Sequence, residues 1–310
     1  MKLKKPNFWQ EKNHILSIIF FPISLIIQLL LKAKKKLVIS KSFKMPVICV
    51  GNIYLGGTGK TPLVLTIARE LINYKIRPAI IKKFYKDHLD EHNLIRNNLD
   101  CLFLDNERSK AIKMAENNEK NFVILDDGFQ DFSIKKDLNI LCFNSNQLIG
   151  NGFTIPSGPL REGLKSMKYA DVIVINGDKN ELFEKKINSF SKNAKIFYSR
   201  YVPDNIEEFK NKDLFAFAGI GNPENFFKLL NNNKLKIKKT ISFPDHYKFE
   251  RKELEKIVME SKKNNLEIIT TEKDYFRIKD LGLKQIKYLK VKLEIKEKEK
   301  LIKYLLDIKK

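Results

Sequence analysis

A chain of 310 residues, 43% hydrophobic and 31% charged, is long enough to bury a full core and to divide into two domains. Its formal charge of +22 invites a nucleic-acid partner, but the lysines are spread along the whole chain, and no Arg/aromatic RNA motif or helical basic arm is present. The charge suits an anionic membrane or a phosphorylated substrate instead, and nucleic acid is not expected.

From the N-terminus, residues 1–44 read as an apolar segment with a basic flank. Ile15 to Leu31 carries no charge but is interrupted by Ser17, Pro22, Ser24 and Gln28. A spanning helix needs about 20 apolar residues. Gln10, His14, Ser17, Phe21, Ser24 and Gln28 recur at spacings of 4, 3, 4, 3 and 4, which puts most of the polar side chains on one narrow helical stripe. Trp9 precedes the run, and Lys32, Lys34, Lys35 and Lys36 follow it. The pattern predicts a helix on a membrane surface or facing a lipid substrate; a short span and a core helix are the rivals. No small-residue cleavage site follows, so a signal peptide is not expected. The lysines would keep the body of the protein on the cytoplasmic side.

Val47 to Val50 predicts a buried strand bounded by glycine. Gly56, Gly57 and Gly59 then form a loop able to bring backbone N–H groups close to an anion. Lys60 supplies a point charge for terminal phosphates, and the Thr61 hydroxyl is placed for Mg²⁺. The residues after Thr61 have helical spacing, so the loop opens a helix N-terminus. Tyr54 stands where the strict phosphate-loop pattern has its first glycine.

Ile76 to Ile81 predicts a second strand. His88-Leu89-Asp90-Glu91-His92 matches the inverted zinc-peptidase pattern, but no third ligand is nominated. Asp90 or Glu91 could equally be a general base near the nucleotide, or part of a solvated acidic turn. A strand at Leu102–Leu104 and a helix opened by Asn106-Glu107-Arg108 follow. Phe122-Val123-Ile124-Leu125 running into Asp126-Asp127 has the form of a Walker B strand, whose carboxylate sits beside the phosphate loop and holds Mg²⁺ directly or through water.

Further strands are expected at Leu138–Phe143 and Ala170–Asn176, with a rigid turn presenting Arg161 between them. This alternation means a mostly parallel sheet covered by helices on both faces, with ligands at the strands' carboxyl ends. The pattern restarts near Arg200–Pro203. A strand at Leu214–Ala218, a loop histidine at His246, a strand at Leu266–Thr271 and a helical, lysine-rich stretch from Lys292 read as a smaller α/β domain. The expected divisions are 1–44, a phosphate-loop domain at 45–203, and a smaller domain at 204–310 closing over the first. Cys49, Cys101 and Cys142 are isolated in apolar contexts without metal-ligand spacing, as buried thiols in a reducing compartment would be.

Taken together, Gly51-Asn52 through Gly56–Pro62, Asp126-Asp127-Gly128-Phe129-Gln130, Pro156–Glu162, Phe217–Pro223, Phe243–Tyr247 and Thr270–Asp274 resemble the tetraacyldisaccharide 4′-kinase family, the lipid A 4′-kinases of Gram-negative bacteria. The resemblance spans nearly the whole chain. It implies a P-loop NTPase-like fold and transfer of the ATP γ-phosphoryl group to the 4′-hydroxyl of a tetraacyl disaccharide 1-phosphate, at the cytoplasmic face of the inner membrane. In that reading Gly56, Gly57, Thr58, Gly59, Lys60 and Thr61 bind ATP, and Thr61 with Asp126 or Asp127 places Mg²⁺. Asp90 is the base for the sugar hydroxyl, oriented by His246, while Glu91, Arg108 and Arg161 contact substrate or phosphate. The alternative is a membrane-associated P-loop ATPase switch that transfers nothing to a sugar lipid. The chain departs from the family pattern at Lys83-Phe84-Tyr85-Lys86 (usually Arg-Gly-Tyr-Gly), at Leu89 and His92 around Asp90-Glu91 (usually Gly and Pro), and at Asp131 (usually histidine).

Overall fold

The computed structural model of the protein describes residues 6–85, 89–245 and 247–308, with the side chains of Leu89 and Asp90 outside the description. Among the described residues the helices are α1 Ile15–Leu37, α2 Lys60–Asn73, α3 Leu89–Asn98, α4 Arg108–Asn117, α5 Glu181–Phe190, α6 Pro223–Asn232, α7 Arg251–Lys263, α8 Glu272–Ile278 and α9 Lys298–Leu306. The strands are β1 Val47–Gly51, β2 Pro78–Lys83, β3 Leu102–Asp105, β4 Phe122–Asp126, β5 Leu138–Asn144, β6 Val172–Asn176, β7 Lys195–Pro203, β8 Asp213–Ala218, β9 Lys236–Ser242, β10 Glu267–Thr271, β11 Ile286–Leu289 and β12 Val291–Ile295.

The chain divides into two compact units, a larger one of residues up to 84, 101–200 and 293 onward, and a smaller one containing 85–100 and 201–292. A single boundary after residue 203 therefore differs from the observed division in two places. Residues 85–100 join the smaller unit because α3 packs on α8, where Lys273 meets Glu91 at 3.0 Å. The C-terminal residues return to the larger unit because β12 extends its sheet and α9 buries Leu301, Ile302 and Leu305. The stretch from Lys292, expected to be helical throughout, starts as a strand. Val291, Leu293 and Ile295 alternate with charged residues at the two-residue period of a sheet edge, and the helical period begins only after Glu297.

The larger unit is built on an eight-stranded sheet in the order β12-β7-β6-β5-β1-β4-β2-β3, with β1 to β7 paired in parallel. Strands β1 and β4 are buried at every position, as strands covered on both faces require. Because β1 lies between β4 and β5, the loop leaving β1 and the end of β4 share one edge of the sheet, where parallel sheets place their ligands.

In the smaller unit the parallel order is β11-β10-β8-β9. Alternation along β8 sends Leu214, Ala216 and Ala218 into a core with Phe226, Phe227 and Leu230 of α6, and Phe215 and Phe217 into a second core with Leu254 and Ile257 of α7. Cys49, Cys101 and Cys142 are buried and form no disulfide among the described residues, and burial pushes the Cys49 thiol up to about 11.

Helix α1 reverses the usual arrangement of an amphipathic helix: its polar stripe faces the protein. Ser17 and Ser24 are buried, while Ile15, Ile18, Ile19, Ile26, Leu29 and Leu30 are all more than half exposed. Ser24 Oγ donates to the Thr154 carbonyl (2.9 Å) and accepts from Ser157 N (3.1 Å). Gln28 Nε2 donates to Thr154 Oγ1 and Asn151 Nδ2 to Ser17 Oγ, each at 2.9 Å. The stripe thus satisfies backbone and side-chain polar groups of an irregular loop.

Candidate nucleotide-binding site

Strand β1 ends at Gly51, where a Cβ would lie 2.4 Å from Phe129 Cβ, so no larger residue fits between β1 and the turn after β4. Gly56, Gly57 and Gly59 have φ of 73°, 66° and 88°, the left-handed region that costs glycine nothing. Gly59 caps α2 without a side-chain cap hydrogen bond, which leaves the first-turn N–H groups and positive dipole end of the helix suited to an anion. The loop is braced by buried Asn52, whose Nδ2 donates to Thr58 Oγ1 (2.9 Å) and whose carbonyl accepts from Gln130 Nε2 (2.9 Å). Tyr54 tolerates the place of the usual first glycine because its φ is not positive and its ring is wholly buried in the core, where its hydroxyl accepts from Gln10 Nε2 at 2.6 Å.

Val50 of β1 pairs with Asp126 at the end of β4, which brings the carboxylate beside the loop. Asp126 is fully buried, and the Thr61 hydroxyl donates to its Oδ2 at 3.1 Å. Its Oδ1 is buried with no hydrogen-bond partner among the described residues. An orphaned carboxylate oxygen next to a threonine hydroxyl is a hard-oxygen donor set, so these two residues fit Mg²⁺.

Asp127 is placed differently. It adopts φ 59°, unusual for a residue with a side chain, and turns its carboxylate to Arg161 Nη1, 2.9 and 3.0 Å from its two oxygens, with Lys60 Nζ at 3.6 Å. Burial opposes its ionisation, but the charges of Lys60, Arg161 and Lys82 prevail and hold the carboxyl well below the usual carboxylate range. Arg108 Nη2 donates to the Asp127 carbonyl (2.8 Å) and Nη1 to Asp131 Oδ2 (2.9 Å). Asp131 is held in turn by Ser133, whose hydroxyl and N–H both donate to Oδ1.

Of the residues singled out from sequence, Gly56–Thr61, Arg108, Asp126, Asp127 and Arg161 are all in the larger unit. Glu91 is in the smaller one, paired with Lys273, which also lies 3.9 Å from Asp245. Asp90 lies on α3, but its side chain is outside the described residues, as are His246 and His88. Among the described residues no group of three or more His, Cys, Asp or Glu side chains is placed to hold a metal ion.

Sequence reading passed over Lys82 and Asn52. Lys82 Nζ donates to Asp126 Oδ2 at 2.6 Å, with both side chains almost entirely buried. The signal was a lysine directly after Ile80-Ile81 in a buried strand, where lysine occurs only when paired.

A parallel sheet whose first strand feeds a glycine-rich loop, with a Lys-Thr pair opening the next helix and a carboxylate ending the adjacent strand, defines a P-loop nucleotide-binding phosphotransferase fold. The family model of tetraacyldisaccharide-1-P 4′-kinases matches residues 16–98 and 86–310. The tetraacyldisaccharide 4′-kinase of Pelagibacter ubique is 42% identical over 312 residues, covering 99% of both chains, and that of Rickettsia bellii is 35% identical over 90% of this chain and 91% of its own. The crystal structure of LpxK from Aquifex aeolicus in complex with ATP superposes with a TM-score of 0.74 at 26% identity, covering 96% of this chain and all of that one. The chain belongs to the tetraacyldisaccharide 4′-kinase family. It is accordingly a lipid A-pathway kinase.

Proposed function

We propose that residues Gly56–Thr61 bind ATP and that Thr61 and Asp126 hold Mg²⁺ for the family reaction, transfer of the γ-phosphoryl group to the 4′-hydroxyl of a tetraacyl disaccharide 1-phosphate. The observation that carries this assignment is the convergence on Asp126: one oxygen meets the Thr61 hydroxyl and the other is buried without a partner. Bound magnesium would neutralise charge on the β- and γ-phosphates. Everything else falls to the protein, and for phosphoryl transfer that means positioning and electrostatics.

Lys60, 12% exposed, is held near the loop by Asp127 until phosphates arrive. Arg161 fixes the Asp127 carboxylate, and Arg108 fixes the backbone of the same residue, so the turn after β4 is pinned at both side chain and main chain. Both arginines thereby organise the turn that follows Asp126. The acceptor hydroxyl needs a base, and the family motif makes Asp90 that base, with His246 orienting it and Glu91 beside it on α3. A switch-type ATPase finds no support among the relatives, which are named as kinases.

A tetraacylated acceptor resides in a membrane. The exposed apolar face of α1, 23 residues long with a lysine cluster in its last turn, supports peripheral binding at the cytoplasmic face of the inner membrane. Its polar side is already used against residues 151–157, which favours lying in the interface over spanning.

The test is transfer of label from γ-labelled ATP to tetraacyl disaccharide 1-phosphate in micelles containing MgCl₂. Lys60→Ala, Asp126→Ala and Asp90→Ala should each lose about a hundredfold or more. Undiminished transfer by Asp90→Ala would remove it as the base, and an unchanged Mg²⁺ requirement in Asp126→Ala would remove it as the metal ligand.

A further inference from the structure

Asp126 has two occupants in this protein. Its Oδ2 accepts from the Thr61 hydroxyl and, at 2.6 Å, from the Lys82 ammonium. Pairing of β2 with β4 runs to Ile81 opposite Leu125, so Lys82 and Asp126 are the next residues on adjacent parallel strands and lie on the same side of the sheet. The lysine side chain is 6% exposed and the aspartate 0%. A buried ammonium with a buried carboxylate is stable only as a pair, because either charge alone lacks water to solvate it. Lys82 also acts electrostatically on Asp127, so its charge is felt by both carboxylates of the turn.

Magnesium held by Asp126 together with the Thr61 hydroxyl would sit beside Oδ2, where Thr61 and Lys82 both meet the carboxylate. An ammonium and a divalent cation repel strongly at contact distance in a low-dielectric site. We propose that Lys82 is a built-in counter-ion of Asp126 which magnesium must displace, so that this residue sets how much Mg²⁺ the nucleotide site requires. In the metal-free protein Lys82 holds the carboxylate in position. On loading, the flexible four-carbon stem lets the ammonium leave Oδ2 while β2 stays in place, and the phosphates arriving with the metal compensate its charge. The exchange replaces one cation with another and leaves no buried charge unpaired at either end.

This inference rests on the assignment of Asp126 as a magnesium ligand, and the experiment separates the two. Thermal unfolding of the full-length protein is followed at pH 8 with saturating ATP, first in EDTA and then across a MgCl₂ titration. Lys82→Met removes the charge at similar length, and Lys82→Gln keeps a hydrogen-bond donor to Asp126 that protects the fold. In EDTA, Lys82→Met should melt roughly 5 °C or more below wild type, because Asp126 is left buried without a counter-ion. With Mg²⁺ most of that deficit should be recovered. In both variants the half-saturating Mg²⁺ concentration should fall about tenfold, whether or not catalysis is retained.

An unchanged half-saturation point in Lys82→Gln would overturn the proposal, and so would a rise, which would make Lys82 an aid to metal binding. A melting deficit in Lys82→Met that persists equally at every Mg²⁺ concentration would also overturn it, leaving Lys82 a purely structural partner. Wild-type protein with no magnesium-dependent stabilisation would instead defeat the assignment of Asp126 as ligand.

Discussion

The apolar face of α1 makes the most quantitative claim about where this enzyme works. Ile18, Ile26 and Leu30 are 61%, 58% and 65% exposed, on the side of the helix away from Ser17, Ser24 and Gln28. Fully burying such a side chain is worth about 1.5–3 kcal/mol, so the exposed fractions offer about 1–2 kcal/mol each. An interfacial helix sinks only its outer face into the headgroup boundary, and about half the sum, roughly 1.5–3 kcal/mol for three residues, should be realised. Replacing all three by glutamine, a better helix former than isoleucine, should leave the helix intact. Partition onto vesicles containing anionic phospholipid, measured by co-sedimentation, should then fall about 10- to 150-fold at unchanged melting temperature. Residual binding should be salt-sensitive, since Lys32, Lys34, Lys35 and Lys36 remain. Partition within threefold of wild type would refute a lipid-facing α1. A large drop in melting temperature would refute it too, because it would mean that the face is buried against protein.

The opposite side of the same helix should behave inversely. Ser24→Ala removes the acceptor for Ser157 N and the donor to the Thr154 carbonyl, and should cost about 1–3 kcal/mol, read as a lower denaturation midpoint with vesicle binding per folded molecule unchanged. In the smaller unit, Asp274 accepts from Gly219 N, Thr271 Oγ1 and Arg277 at 2.7–2.8 Å while wholly buried, so Asp274→Ala should destabilise by about 3–5 kcal/mol in chemical denaturation. The pH dependence of Asp127 follows from its depressed carboxyl: its stabilising contribution is fully present above the unfolded carboxylate range and is lost only as pH falls through the lower folded value. ATP binding by wild type should therefore show no Asp127 titration between pH 8 and pH 5, whereas Arg161→Ala, which removes one of the charges outweighing burial, should move its onset upward. Identical binding profiles in the two proteins would show that Arg161 does not set the charge of Asp127.

The phosphate loop was legible in sequence because every requirement is local. The three glycines provide the positive φ values, Lys60 and Thr61 follow directly, and α2 has its own period. Asp126 was legible for the same reason, as the end of a short apolar strand. Lys82 was not, because Lys82 and Lys83 together look like the start of a solvated turn, and the partner that buries the first of them lies 44 residues away. The location of α3 in the smaller unit was equally hidden: a ten-residue helix with little apolar character is placed by what it docks on, here α8 and Lys273. The polar stripe of α1 was visible, but its direction was not, since the loop that satisfies it begins more than a hundred residues later.

That loop also links two features that sequence reading treated separately. Residues 151–157 meet the polar stripe of α1, and the chain then runs directly into the site: Leu55 N donates to the Pro159 carbonyl, Leu160 bridges Tyr54, and Arg161 N donates to the Ile53 carbonyl at 2.7 Å. The side chain of Arg161 then clasps Asp127, whose main chain is held by Arg108 and, through it, by Asp131. Asp131, which replaces the histidine usual in the family, is thereby committed to Arg108 and Ser133, and its negative charge is spent on the arginine that fixes the turn. A neutral imidazole could accept from Arg108 but could not neutralise it. In this chain the carboxylate therefore offsets the charge of the arginine that pins the turn after β4, while Asp126 is left to Thr61 and Lys82.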